Sequence, residues 1–177
     1  MRITGGNSAG IPLAVPKKNI RPAMDRMRES VFASLGHIQG CSFLDLFSGS
    51  GSIGLEAASR GAEKIVLVEK DYGKRRFIEK NAQAVRAQVK IFTLPAEKYL
   101  KKADTAFDII FLDPPFPYKQ KIKLLHAVTE SEAASEHTEI IIHFPQEDNL
   151  DKEINGYTVY KEKKYGRSMV WFYKRIE

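Results

Sequence analysis

Short apolar runs alternate along most of this chain with stretches of helical spacing. The first run, Ser42–Phe47, meets Gly49, Gly51 and Gly54 and is followed by a helical stretch that ends at Arg60 and Gly61. Further strands are predicted at Lys64–Glu69, Val89–Thr93, Phe107–Asp113 and Glu139–His143. Helices are predicted over Tyr72–Arg86, Ala96–Lys102 and Lys119–Thr129, the first capped by Asp71 and turning Phe77, Ile78 and Val85 inward. The segments Tyr157–Lys161, Lys163–Gly166 and Ser168–Tyr173 read as an antiparallel hairpin, with Tyr165-Gly166 at its turn. Alternating strands and helices with apolar strands imply a mostly parallel sheet covered on both faces, whose ligand sits at the carboxyl ends of the strands.

The first forty residues have another rhythm. Arg2–Thr4 and Ile11–Val15 flank Gly5, Gly6 and Gly10 and suggest a small β-hairpin, followed by a basic linker over Pro16–Pro22. From Pro22, the residues Met24, Met27, Val31 and Leu35 share one helical face that stops at Gly36. Arg26 and Arg28 lie off that stripe, and are expected to be free for solvent or a ligand. The chain therefore divides into an extension over 1–40 and a main domain over 41–177.

Composition narrows the class. A chain of 177 residues, 43% hydrophobic and 28% charged, is expected to be an ordinary globular protein. No stretch approaches the ~20 apolar residues of a membrane span. Cys41 is the only cysteine and the four histidines are scattered, so neither an internal disulfide nor a metal site is expected, and a reducing cytoplasm fits. The net charge of +6 favours a polyanionic partner. Arg2, Lys17, Lys18, Arg21, Arg26 and Arg28 crowd the first forty residues, whereas residues 130–153 carry eight acids and one lysine. One end is suited to phosphates and the other repels them.

The chemistry collects at the predicted strand ends. Gly49-x-Gly51-x-x-Gly54 allows close backbone approach to a ligand and tight helix–strand packing. Glu69, ending the second strand, can accept both hydroxyls of an adenosine ribose. These features fit a nicotinamide dinucleotide as well as S-adenosylmethionine. Asp45, inside the first strand, is harder to reconcile with a dehydrogenase, because a carboxylate there is costly unless a donor or cation uses it. The amino-acid part of S-adenosylmethionine offers an ammonium group. Asp113-Pro114-Pro115-Phe116 supplies an acid, a rigid carbonyl and an aromatic plate, a holder for a planar base bearing an exocyclic amino group.

Taken in order, Arg2-Ile-Thr-Gly-Gly6, Ile20-Arg-Pro-Ala-Met-Asp-Arg-Met-Arg-Glu29, Leu44-Asp-Leu-Phe-Ser-Gly-Ser-Gly51, Val68-Glu-Lys-Asp71, Phe111-Leu-Asp-Pro-Pro-Phe116 and Lys164-Tyr-Gly166 resemble the RsmD family. Its members are S-adenosylmethionine-dependent methyltransferases that modify the N2 amino group of a guanine in bacterial 16S rRNA. The resemblance implies a Rossmann-like class I methyltransferase fold with a seven-stranded sheet. It assigns Asp45, Phe47, Gly49, Gly51, Glu69 and Lys70 to the cofactor, with Ala96 and Glu97 where the adenine is held. It assigns Asp113, Pro114 and Phe116 to catalysis, and Arg21, Arg26, Arg28 and Lys119 to RNA. The implied partner is 16S rRNA or an assembling small subunit, acted on by a monomer.

The chain departs from the family pattern at Asn7-Ser8-Ala9, where relatives carry basic residues, and at Ala23-Met24, where threonines are common. It departs again at His143-Phe144, where an acid is expected, which leaves His143 without an assigned role. Three other readings stay open: an NAD-binding oxidoreductase, a non-catalytic RNA-binding module, and an amino-methyltransferase acting on DNA adenine or protein glutamine.

Overall fold

The computed structural model describes residues 1–16 and 22–176, with the side chains of Pro22 and Ala23 left aside. Its centre is one mixed sheet. Strands β1 (Ser42–Leu46), β2 (Lys64–Val68), β3 (Val89–Phe92), β4 (Ile109–Leu112) and β5 (Glu139–Pro145) run parallel, and β6 (Glu153–Ile154), β7 (Tyr157–Tyr165) and β8 (Ser168–Arg175) extend the sheet antiparallel. The strand order is β3-β2-β1-β4-β5-β8-β7-β6. The order reverses between β1 and β4, and a crevice opens at such a switch point, above the carboxyl ends of the strands. The sheet thus has eight strands among the described residues, against seven expected. The additional one, β6, is a two-residue pairing with β7, too short to show any alternation.

Helices α1 (Pro22–Leu35), α2 (Ser52–Ser59), α3 (Tyr72–Ala84), α4 (Ala96–Leu100) and α5 (Lys121–Thr129) cover both faces. The pleat sorts the strand residues between them. Leu44, Leu46, Ile110, Leu112, Ile140 and Ile142 pack with Leu100, Leu124 and Val128 of α4 and α5. Phe43, Ile109, Phe111, Ile141, Val170 and Phe172 pack with Met27, Val31 and Phe32 of α1 and with Ile53 and Ala57 of α2. Both clusters consist of side chains almost wholly removed from water, at roughly 25 cal/mol for each Å² of apolar surface buried. No helix is long and apolar enough to cross a membrane among the described residues.

The N-terminal segment is tied into this body. The expected hairpin reduces to a ribbon with one bridge, Arg2 to Pro12, held by Ile3 N–H to Ile11 carbonyl and Gly10 N–H to Ile3 carbonyl bonds of 3.0 and 2.8 Å. Ile3 and Leu13 pack on Leu55, Ala82 and Val85. Arg28 corrects the sequence reading. It is 1% exposed, because Glu56 on α2 needs a buried cation, and so it is shut off from RNA in this fold. Arg21, Lys17 and Lys18 lie outside the described residues. Arg26 and Lys119 are exposed, as an RNA role requires.

Candidate cofactor and amino-group site

The turn after β1 is locked from several sides. Ser48 N–H donates to the Val68 carbonyl at 3.0 Å, and its hydroxyl donates to the Asp45 carbonyl at 2.7 Å. Gly51 caps α2 at φ +82°, a left-handed conformation that favours glycine. Phe47 is also left-handed, at φ +66°, an uncommon state for a bulky residue and one concentrated at ligand sites. Gly54 has a different reason. A β-carbon there would lie 2.1 Å from a Leu67 methyl, so only glycine lets α2 sit this close to β2. The buried Asn81 side chain then donates to the carbonyls of Ser50 and Ala14, both at 2.9 Å, joining α3, the turn and the N-terminal ribbon. Nothing in its sequence context marks Asn81, since an asparagine on a polar helix reads as solvated.

Two carboxylates border this turn. Glu69 accepts from Gly49 N–H at 2.8 Å on one oxygen and from Asp71 N–H at 2.9 Å on the other. It therefore braces the glycine turn and keeps one lone pair per oxygen for a ligand. Asp45 is buried to 1% and accepts from Gly54 N–H at 3.1 Å through Oδ2, while its Oδ1 has no partner. Burial pushes this carboxyl well above the usual range. The Gly54 N–H opposes the shift, and the nearby Asp113 and Glu69 charges add to it. A buried acceptor without a partner is costly, and Asp45 is a residue that lines a cavity.

That cavity has a volume of about 510 Å³, within the range of small-molecule sites. Asp45, Phe47, Gly49, Glu69, Lys70, Asp113, Pro114 and Phe116 all line it. Eight of the sequence-assigned residues are thereby brought together. Gly51, Ala96 and Glu97 are not among its lining residues. Gly51 shapes the helix start instead, and Glu97 is engaged by the Tyr118 hydroxyl, whose ring packs edge-on against Phe47 at 5.5 Å.

Two lining or bracing residues were missed. His143 lies within β5 beside Asp113, which follows the last residue of β4, with its Nδ1 2.9 Å from Asp113 Oδ1 and its ring 5.4 Å from Phe116. The signal existed in the parallel register, which aligns Leu112 with Ile142 and so sets Asp113 against His143. Lys121 is the other. Although charged, it is 3% exposed, donating to the carbonyls of Phe116 and Tyr118 at 2.9 and 2.7 Å and pairing with Asp148 at 2.6 Å. It staples the loop that carries Phe116 to the start of α5.

The model of the family described as Conserved hypothetical protein 95 matches residues 1–174. The chain belongs to this family, the RsmD family. RsmD-family relatives match it along nearly their whole length. The putative rRNA methyltransferase YlbH of Bacillus subtilis is 32% identical over 99% of each chain. The ribosomal RNA small subunit methyltransferase D of Escherichia coli is 30% identical over 99% of this chain and 90% of its own. Among solved structures, the putative methyltransferase yhhF from Escherichia coli superposes with a TM-score of 0.87 at 29% identity, covering 99% of this chain and 97% of that one. SMU.776, a putative methyltransferase complexed with SAH, shares the fold at a TM-score of 0.73 and 18% identity, over 88% of this chain and 50% of its own. The fold is the Rossmann-like class I methyltransferase fold.

Proposed function

We propose that this RsmD-family protein transfers a methyl group from S-adenosylmethionine to the N2 amino group of a guanine in 16S rRNA, in the bacterial cytoplasm. The observation that carries the reading is Asp45, whose buried Oδ1 has no hydrogen-bond partner among the described residues and which lines the same cavity as Asp113-Pro114-Pro115-Phe116. A hydride-transferring dinucleotide has no ammonium group to offer that oxygen. The ammonium of S-adenosylmethionine does, so the residues present fit this cofactor. Asp45 would take the ammonium, the Gly49 turn the backbone of the amino-acid part, and Glu69 the ribose.

Bound there, S-adenosylmethionine supplies an electrophilic methyl on a sulfonium. The protein's own work is positioning, which can contribute roughly 7–11 kcal/mol to such a reaction. Asp113 and the Pro114 carbonyl accept the two amino hydrogens and localise the nitrogen lone pair. Asp113 then takes the proton that the nitrogen sheds once alkylated. Phe116, 38% exposed at the lip, stacks on the extruded base, an interaction worth ~1–3 kcal/mol. Arg26 and Lys119, both exposed, supply phosphate contacts. The relatives' names support rRNA as the substrate, and those that print the small subunit support that setting.

The test is incubation with small ribosomal subunits lacking the modification and a tritiated methyl donor, followed by nucleoside analysis. Label in N2-methylguanosine is expected. Label in N6-methyladenosine, or none, would refute the reading.

A further inference from the structure

The reading above, on which this inference rests, uses neither ring nitrogen of His143. Nδ1 lies 2.9 Å from Asp113 Oδ1. An ionised carboxylate only accepts, so Nδ1 carries the hydrogen, and in the neutral ring Nε2 is left as an acceptor. Nε2 makes no hydrogen bond among the described residues, and His143 lines the cavity. The ring itself is 7% exposed and is held edge-on by Phe116, so its direction is fixed. It stands between the large cavity and a second one of about 170 Å³ that Met24, Met27, Tyr165 and Arg167 line. The lip of the site therefore presents two acceptors side by side, the Asp113 carboxylate and His143 Nε2.

Amino-bearing bases differ in what stands next to the amino group. Guanine has the N1–H donor beside its N2 amino group, whereas adenine and cytosine have an unprotonated ring nitrogen there, which is an acceptor. A second acceptor beside the amino-group holder matches guanine and opposes the other two. We propose that His143 is the residue that selects guanine, its Nε2 accepting the guanine N1–H while its Nδ1–H fixes Asp113.

The experiment uses small subunits reconstituted with 16S rRNA carrying either guanine or 2-aminopurine at the mapped nucleotide. 2-Aminopurine keeps the C2 amino group but has an unprotonated N1; its missing O6 affects all variants alike. For the native protein, kcat/KM is expected to favour guanine by roughly tenfold to a hundredfold. His143→Leu should lose that preference. His143→Gln, whose amide can donate to Asp113 and accept from N1–H, should keep it. Calorimetry with S-adenosylhomocysteine, expected within twofold of the native value for both variants, shows that they are folded. Native preference in His143→Leu, with label still on guanine N2, overturns this assignment alone. Label on adenine N6 overturns it together with the function proposed above.

Discussion

Arg28 Nε stands 3.1 Å from Glu56 Oε2, with the two side chains 1% and 0% exposed. Glu56 is the hub of the N-terminal attachment. It also accepts from Thr4 N–H at 2.8 Å, from the Thr4 hydroxyl at 2.7 Å and from Arg60 Nε at 2.8 Å. Arg28 in turn donates to the Arg2 carbonyl and to Asp25. Removing one partner of a buried pair strands the other charge, at a cost of about 3–5 kcal/mol. Arg28→Met should therefore lower the urea midpoint by up to that equivalent, since Arg60 stays on Glu56, while the folded fraction binds RNA as before. Arg26→Ala should do the reverse, weakening RNA binding and reducing its salt dependence without moving the midpoint. Equal RNA loss in both variants would return Arg28 to the RNA face.

Asp45 sets a trade between stability and binding. Its folded-state pKa is raised, so the native protein holds a proton that the unfolded chain releases. The contribution to stability is full below the ordinary carboxylate range and is lost as pH climbs toward the folded value. Asparagine never ionises, so Asp45→Asn escapes that loss. The ligand-free variant should melt higher than the native protein at about pH 7–8 and show a flatter dependence from there down to ~4. Its affinity for S-adenosylhomocysteine should drop at least tenfold, about 1.4 kcal/mol. Binding to the native protein should release a proton as Asp45 ionises against the ammonium, seen as a buffer-dependent heat, and Asp45→Asn should show none from this site.

The sequence pattern showed the parallel half of the sheet, because β1, β2, β4 and β5 are mostly apolar and buried on both faces. The glycine turn and Asp71, which caps α3 by accepting from Gly73 N–H, were equally plain. Legibility fell where position depends on a partner. β7 read as two pieces parted at Glu162, whereas it is one strand whose pairing with β8 shifts register between Val159 and Lys161. Arg28 and Lys121 carry charges that normally mark a solvated face, and only the tertiary partners Glu56 and Asp148 explain their burial. Asp45 and Asp113 could be assigned from their own strands. His143 could not, since its role depends on the alignment of β4 with β5.

Lys121 gives a prediction about the loop rather than the chemistry. Its ammonium holds the Phe116 and Tyr118 carbonyls, and Asp148 beyond them. Lys121→Met leaves those carbonyls to find water and frees the loop that aims Phe116. A loss of roughly 1–3 kcal/mol in unfolding free energy is expected. Turnover should fall several-fold more than affinity for S-adenosylhomocysteine, because the donor pocket rests on β1 and β2 rather than on this loop. A variant losing affinity and turnover in parallel would mean that the loop supports the whole cavity.

Asp113 separates binding from catalysis most cleanly. It lines the cavity at the end of β4, yet the glycine turn, Asp45 and Glu69 are held by contacts of their own. Asp113→Ala should therefore bind S-adenosylhomocysteine nearly as the native protein does. The amino group would lose its charged acceptor and its proton sink together, each of which bears on the transition state more than on the ground state. Methyl transfer to small subunits should fall by about 10²–10⁴-fold, the usual worth of a positioned general base. Asp113→Asn, which still accepts one hydrogen but cannot take a proton, should fall between the two in single-turnover rate. If Asn were as slow as Ala, proton removal would be the dominant role; if Asn were nearly native, holding the amino group would be.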